Sequence, residues 1–256
     1  MSADPPQGRL IASAATAAGG KVEVYENRES RWMRFNGPGQ VLQSQMALAL
    51  PEQPCSSYVR SMLAALLFVE RPASILNLGM GGGALERFFL SHMSELALKS
   101  VESEPVVIEM AKRYFQLPRE FPVVNLSADL FLAEDSGCYD ILFCDIYEQA
   151  GHPGFMFGER FYADIRNRIS TRGLLVINVL ARSEAEMLQL LLSIRQSLPW
   201  VSLLEFEGLR NILLFAGCQP PPDVAALEHR AERLCGSMRI DLRGVGSGMR
   251  RLPPRP

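Results

Sequence analysis

At 256 residues, 48% hydrophobic and 21% charged, the chain is long enough to bury a full core and has the composition of a globular protein. A formal net charge of -2 excludes a generic polyanion binder such as a nucleic-acid coat, and no window approaches the roughly eighteen uncharged apolar residues of a membrane span. The start MSADPPQGRL lacks the basic-then-apolar order of a signal peptide, which predicts a cytoplasmic protein; the scattered Cys55, Cys138, Cys144, Cys218 and Cys235 show no CxxC or Cys/His clustering, which predicts free thiols and no metal.

Taken in chain order, the first twenty residues are rich in Ala, Gly and Pro and are expected to be frayed. KVEVYENRESRWMRFNG (21–37) alternates on both sides of a polar turn and predicts a β-hairpin, with GQVLQSQM as a third short strand. The exposed edges of such a meander predict a homodimer. A buried helix is expected from Ser57 to Phe68, ended before Pro72. From residue 74 the pattern changes to short apolar strands alternating with amphipathic helices: SILNLG, then Leu85, Phe88, Phe89 and His92 at helical spacing, then LKSVE and a helix opened by Pro105. VVNLSAD and YDILFCD predict the third and fourth strands of this unit, GERFYADIRNRI a helix and GLLVINVL the fifth strand. Ser183 with Glu186 forms a capping box, VSLLEFE and RNILLFAG flank a turn at Gly208, and Asp223 caps a terminal helix. MRIDLRGVGSGMRRLPPRP is a basic tail expected to be solvated. The fold class predicted is α/β: a Rossmann-like, doubly wound, mostly parallel sheet closed by an antiparallel hairpin and preceded by a small β meander. Its boundaries are expected at 1–52 for the tail and meander, 53–219 for the nucleoside-binding domain and 220–256 for the terminal helix and tail.

In ILNLGMGGGALERFF, four of the five residues 79–83 are glycine, placed after a strand and before a helix. Gly79, Gly81, Gly82 and Gly83 allow positive φ and close approach of a ligand to the backbone, and the helix start offers free N–H groups. Met80 is the one side chain in the loop and is expected to pack beneath an adenosine. Glu102, twenty-one residues past Gly81, can accept both hydroxyls of a ribose, with Glu104 either its rival or the cap of the next helix. Asp129, ending VVNLSAD, is either an adenine contact or a solvated strand-end acid. GMGGGA also fits the dinucleotide fingerprint GxGxxA, so these residues point to a nucleoside ligand without choosing one. Asp145 and Glu148, three residues apart at the end of the fourth strand, suit a cationic reactant. His152 is either a loop base, a lid residue or a surface group.

Together these segments resemble the polyamine aminopropyltransferases, or spermidine synthases, within the fold of S-adenosylmethionine-dependent methyltransferases. That family reads GGGDGG, E-x-D, G-D-A and D-x-x-D-P where this chain reads GMGGGA, VESE, SAD and DIYE, in the same order over about residues 74–180. The resemblance implies a sulfonium donor, decarboxylated S-adenosylmethionine or S-adenosylmethionine itself, held by Gly79 to Gly83, Glu102 with Ser103, and Asp129 with Leu130. It implies further that Gln43, with Gln40 and Gln45 as alternatives, touches the nucleoside, and that Tyr58 belongs to a segment facing the amine. Asp145 would take the proton of a small-molecule amine acceptor, with Glu148 as second acid. Gly82 or Gly83 stands where the family carries an aspartate, Tyr58 is followed by Val59 and Arg60 in place of His-Glu, and no proline follows Glu148. A methyltransferase on a small molecule, a nucleoside-binding protein without catalysis and an NAD-dependent dehydrogenase are the alternatives.

Overall fold

The computed structural model describes residues 7–17, 19–36, 42–148 and 151–253. The chain opens with an antiparallel meander, β1 (Arg9–Ala15), β2 (Lys21–Glu26), β3 (Ser30–Asn36) and β4 (Leu42–Ala47), in that spatial order. Strand β1 falls in the stretch expected to be frayed. Its register with β2 shifts between Leu10 and Ala12, and this bulge interrupts the alternation by which a strand is recognised. Two short helices follow, α1 (Ser57–Met62) and α2 (Ala65–Phe68), where one helix was expected. Between them the bonds tighten to the 3-10 pattern, Leu63 N–H donating to Arg60 O (3.2 Å) and Ala64 N–H to Ser61 O (3.0 Å).

The main sheet has eight strands in the order β12-β10-β11-β9-β8-β5-β6-β7. In sequence these are β5 (Ser74–Leu78), β6 (Ala97–Glu102), β7 (Val123–Asn125), β8 (Tyr139–Cys144), β9 (Ile169–Val179), β10 (Trp200–Glu205), β11 (Ile212–Gly217) and β12 (Arg250–Arg251). Strands β5 to β9 pair in parallel, and β11, β10 and β12 add an antiparallel side. The order reverses between β5 and β8, so the crevice of a doubly wound sheet opens beyond their carboxyl ends. The connecting helices are α3 (Ala84–His92), α4 (Pro105–Tyr114), α5 (Ala128–Glu134), α6 (Glu159–Arg168), α7 (Glu184–Ser197), α8 (Val224–Met238) and α9 (Val245–Gly248). Glu104 caps α4 through Val106 N–H (3.5 Å) and Asp223 caps α8 through Ala226 N–H (2.7 Å). Ser183 caps α7 by accepting from Glu186 N–H (3.2 Å), whereas the Glu186 carboxylate turns to Arg182 N–H (2.8 Å), so the box closes one residue early.

Alternate residues of each central strand feed opposite layers of core. Leu76, Leu78, Leu142 and Ile177 pack under α5, α6 and α7, while Ile75, Ile141, Phe143 and Val176 pack under α1, α2, α3 and α8. A third cluster joins Val22, Val24, Met33 and Met46 of the meander to Val107 and Met110 of α4 and to Phe115 at its end, which seats the meander against α4. Within the basic tail α9 and β12 fold back, Arg250 and Arg251 pairing with Leu203 and Ser202 of β10, and Met249 joins the second core layer. Apolar anchors at Ile240, Leu242 and Met249, each buried, offset the local positive charge that suggested a solvated arm. No helix among the described residues is long and apolar enough to cross a membrane.

Gly79 and Gly208 both adopt positive φ, 84° and 76°, but a Cβ on Gly79 would lie 2.4 Å from the Asp145 carbonyl oxygen, whereas one on Gly208 meets nothing within 4 Å. Gly208→Ala therefore costs only the strain of a left-handed residue, about 1–2 kcal/mol, and Gly79→Ala costs at least twice that because β5 and β8 must part. Urea denaturation of the two variants reads the difference; equal losses would mean that the close approach is not a constraint.

Candidate active site

The glycine loop is built by backbone geometry and by contacts from the meander. Gly79, Gly81 and Gly83 have φ of 84°, 54° and 72°, and Gly83 is the left-handed cap of α3. Gly82 N–H donates to Ser44 Oγ (2.7 Å), and a Cβ on Gly82 would lie 2.7 Å from Ser44 Cβ. The space a side chain at Gly82 would take is therefore filled from β4. Gln43, the extra residue where the register of β3 and β4 shifts, brings its carbonyl oxygen to 3.9 Å from a Cβ on Gly81, so the residue does border the loop. Gln45 pairs with Trp32 further along β4, and Gln40 lies outside the described residues. Behind the loop Arg87, 7% exposed, donates through Nε to the Pro51 carbonyl (2.7 Å) and through Nη1 to the carbonyls of Gly82 and Phe115. Burial pulls its guanidinium down to about 10, against the opposing charge of Glu86. Met80 is buried against Ala111, Leu117 and Phe121, so it packs the floor of the loop from below.

Glu102, the last residue of β6, accepts Gly81 N–H at Oε2 (3.1 Å) and Glu104 N–H at Oε1 (3.1 Å). A carboxylate has roughly four lone-pair sites, so these N–H groups leave it capacity for a further donor. Burial raises its pKa, and the N–H donors of Glu104, Gly81 and Ser103 oppose the rise. Asn125, which sequence reasoning passed over, ends β7 and donates to the carbonyls of Glu102 (2.8 Å) and Ser103 (3.0 Å), fixing the turn on which they stand. Asp129 does not end a strand: β7 stops at Asn125, Ser127 takes the N-cap position, and Asp129 lies in the first turn of α5 with the exposed Leu130 beside it. The short run VVN cannot extend past Asn125 because that side chain has turned back to hold the neighbouring strand.

Asp145 follows β8 directly, its N–H donating to the Leu78 carbonyl (2.9 Å). Its carboxylate is surrounded by donors from distant parts of the chain. Asn178 Nδ2 donates to Oδ1 (2.7 Å), and the Tyr58 hydroxyl of α1 hydrogen-bonds to the carboxylate. Asn178 Oδ1 in turn accepts from Asn211 Nδ2 (3.0 Å), which fixes the orientation of its amide. Burial raises the pKa of Asp145, with Asn178 and Tyr58 pulling it back down, and burial beside Asp145 pushes the Tyr58 phenol well up. Tyr58 is thus a proton-retaining donor and Asp145 a more basic carboxylate than an exposed one. Cys144, one residue away, is held as a neutral thiol by burial and is no nucleophile. Asn178 was missed by sequence reasoning, although a polar residue inside the apolar run GLLVINVL was its signal.

Glu148 is exposed, and its backbone N–H donates to Gly151 O (2.9 Å). His152 uses both ring nitrogens on backbone groups, Ile146 O (2.9 Å) and Leu180 N–H (2.8 Å), so it is not a free base. The structure therefore gathers Tyr58, Asp145, the glycine loop and Glu102 along one edge of the sheet and leaves Glu148 at the surface. Among the described residues no three His, Cys, Asp or Glu side chains converge as metal ligands.

No protein-family model matches the chain. It is 24% identical over 244 residues to the polyamine aminopropyltransferase of Neisseria meningitidis, covering 93% of both chains. It is 29% identical over 161 residues to that of Chromobacterium violaceum, covering 62% of this chain and spanning only 61% of that relative's length. In structure it is similar to a probable spermidine synthase from Corynebacterium glutamicum (TM-score 0.72, 17% identity, 98% of this chain and 92% of that one). It is also similar to human methyltransferase-like protein 13 in complex with SAH (TM-score 0.66, 22% identity, 72% and 93%). In sequence the chain is similar to polyamine aminopropyltransferases, and in fold it is similar to a spermidine synthase and to a methyltransferase-like protein.

Proposed function

We propose that the protein is a transferase that moves an aminopropyl group from decarboxylated S-adenosylmethionine to a small-molecule amine, a reaction of the polyamine-biosynthesis type. The observation that carries this reading is Asp145, whose backbone lies against Gly79 of the nucleoside loop while its carboxylate is held by Tyr58 and Asn178. A base set beside the loop is placed for a nucleophile that meets the carbon next to the sulfonium. At pH 7 an alkylammonium must first give up a proton, which costs about 4 kcal/mol for a pKa near 10. Asp145 accepts that proton as the amine nitrogen bonds to the carbon and the carbon–sulfur bond breaks, leaving the thioether nucleoside. Tyr58 and Asn178 keep the carboxylate aimed during the transfer. Glu102 holds the ribose, and the bare backbone of Gly81 and Gly82 admits the adenosine. The exposed edges of β1 and β4 suit a homodimer in solution.

Methyl transfer from S-adenosylmethionine is the second reading, favoured by one observation: Ser44 fills the space a side chain at Gly82 would need, so the loop offers no carboxylate to a donor ammonium.

Calorimetric titration with decarboxylated S-adenosylmethionine, S-adenosylmethionine, methylthioadenosine and NAD, followed by mass spectrometry with a panel of amines, decides between them. Aminopropylated product is expected; methylated product selects the second reading, and binding without product across the panel overturns both. Asp145→Asn is expected to lower turnover at least about a hundredfold while donor affinity stays within about threefold; full activity would remove Asp145 from the mechanism.

Removing Asn178 takes away a hydrogen bond to a charged group, worth about 1.5–3 kcal/mol, and so raises the pKa of Asp145 further. In Asn178→Ala the acid limb of the pH–rate profile is expected to move to higher pH. In the wild type that limb already begins above the ordinary carboxylate range, because burial raises Asp145 and Glu102. An unmoved limb would show that another group controls it.

A further inference from the structure

The segment that leaves β8 after Asp145 walls the glycine loop at Ile146, whose Cγ1 lies 3.3 Å from a Cβ on Gly79; it then carries Tyr147 and the exposed Glu148, and His152 stands where it rejoins the fold. Both ring nitrogens meet backbone groups: Nε2 lies 2.8 Å from the Leu180 nitrogen and Nδ1 lies 2.9 Å from the Ile146 oxygen. A backbone N–H can only donate and a carbonyl can only accept. Nε2 must therefore be the bare acceptor and Nδ1 must carry the hydrogen, and one neutral tautomer satisfies both contacts. The ring also stands edge to face on Tyr147, with centroids 5.4 Å apart and planes at 88°. Glu148 and Gly151 exchange backbone hydrogen bonds of 2.9 and 3.1 Å, so fixing residue 152 fixes the position of 148 as well.

The two backbone contacts belong to the two strand ends that carry Asp145 and its donor Asn178. Ile146 is the residue after Asp145, and Leu180 is two residues beyond Asn178, the donor that aims Asp145. The ring thus ties the loop to the end of the strand that carries Asn178. Charged groups near it are Arg182 and Glu186, which are paired to each other at 2.7 Å and act on the ring in opposite senses, and Tyr147 is the titratable group in contact. Burial is the larger influence and favours the neutral ring.

We propose that His152 is a positioning residue for the acceptor side of the site: as the Nδ1–H tautomer it straps the Tyr147–Glu148 segment to the end of β9, and a proton taken up at Nε2 releases Leu180 and loosens that wall. The sign follows from the neutral form being the strapped one. Since the folded chain resists protonation, the unfolded chain takes the proton first as pH falls below about 6.5. Stability from the strap is complete above that pH and is lost as pH drops toward the lower folded value. The strap does not depend on which group is transferred; its effect on the amine rests on the reading above.

The tautomer is read by nitrogen-15 NMR of histidine-labelled protein, and the strap by hydrogen exchange at the Leu180 amide. At pH 7.5 Nε2 is expected to show the shift of a bare nitrogen, and Leu180 exchange is expected to rise at least about tenfold in His152→Ala, as for loss of one buried hydrogen bond. His152→Gln, which offers one donor and one acceptor at similar separation and no titration, is expected to keep Leu180 protected. With an active donor and amine, the Ala variant raises the amine KM about tenfold with donor affinity unchanged. The wild type shows the same rise in acid and the Gln variant does not. A protonated Nε2 at pH 7.5, or unchanged Leu180 exchange in His152→Ala, overturns the strap whether or not turnover is found. An unchanged amine KM in an active Ala variant overturns its role in the site.

Discussion

A carboxylate at the edge of a buried parallel sheet is the constraint on which the rest of the site depends. Left without partners, a buried charge is so costly that the group would neutralise itself. Asp145 keeps its place because α1 supplies the Tyr58 hydroxyl and β9 supplies the Asn178 amide. The amide is oriented by Asn211, immediately before β11 in the connection of the antiparallel hairpin. Three segments far apart in sequence therefore converge on one side chain. The closing hairpin, otherwise an edge of the sheet, has a chemical reason to lie beside β9. The same residue presses its carbonyl against Gly79, so Asp145 and the glycine loop cannot move independently.

The meander is part of this arrangement rather than an ornament on it. Ser44 binds Gly82 N–H and occupies the volume of any side chain there, while Arg87 ties the Gly82 carbonyl to Pro51, just beyond β4. Three carbonyls meet Nε and Nη1 of a guanidinium that has no carboxylate hydrogen-bonded to it among the described residues, so burial lowers its basicity while these hydrogen bonds hold it in place. The glycine in place of an acid is therefore matched by the serine opposite. Restoring the acid alone would push β4 away from the loop.

Much of this was legible in the sequence because strand and helix periods, caps and glycines are local signals. The order of strands, the caps at Ser183 and Asp223, the loop, Glu102 and Asp145 all follow from residues within a few positions of each other. What was not legible depends on pairing at a distance. The bulge at Leu10 hides β1, and the 3-10 turns at Leu63 and Ala64 divide a helix whose composition is uniform. Asp129 moved into α5 because Asn125 turns back on β6, and the tail became ordered because its few apolar residues reach the core. Asn178 stands out as polar in an apolar strand, but its partner is known only once β9 pairs with β8 in a register that places Ile177 beside Cys144. Ser44 carries no local signal at all.

Three carboxyl groups line β5, β6 and β8, and burial raises all three, yet the fold treats them differently. Glu102 and Asp145 stand at the open edge, receive N–H and O–H donors and keep lone pairs that a cation or a hydroxyl can meet. Glu86 is fully buried at the start of α3. One oxygen accepts from Asn77 (2.6 Å) and Ser100 (2.7 Å), joining β5 to β6 beneath the loop, while Oε2 and Asn77 Oδ1 have no hydrogen-bond partner. Burial favours the neutral form of Glu86, while the Asn77 and Ser100 donors pull toward the carboxylate, and burial is the larger influence. The fold thus leaves Glu102 and Asp145 where further partners can approach them and encloses Glu86 between β5 and β6, where Asn77 and Ser100 are its donors.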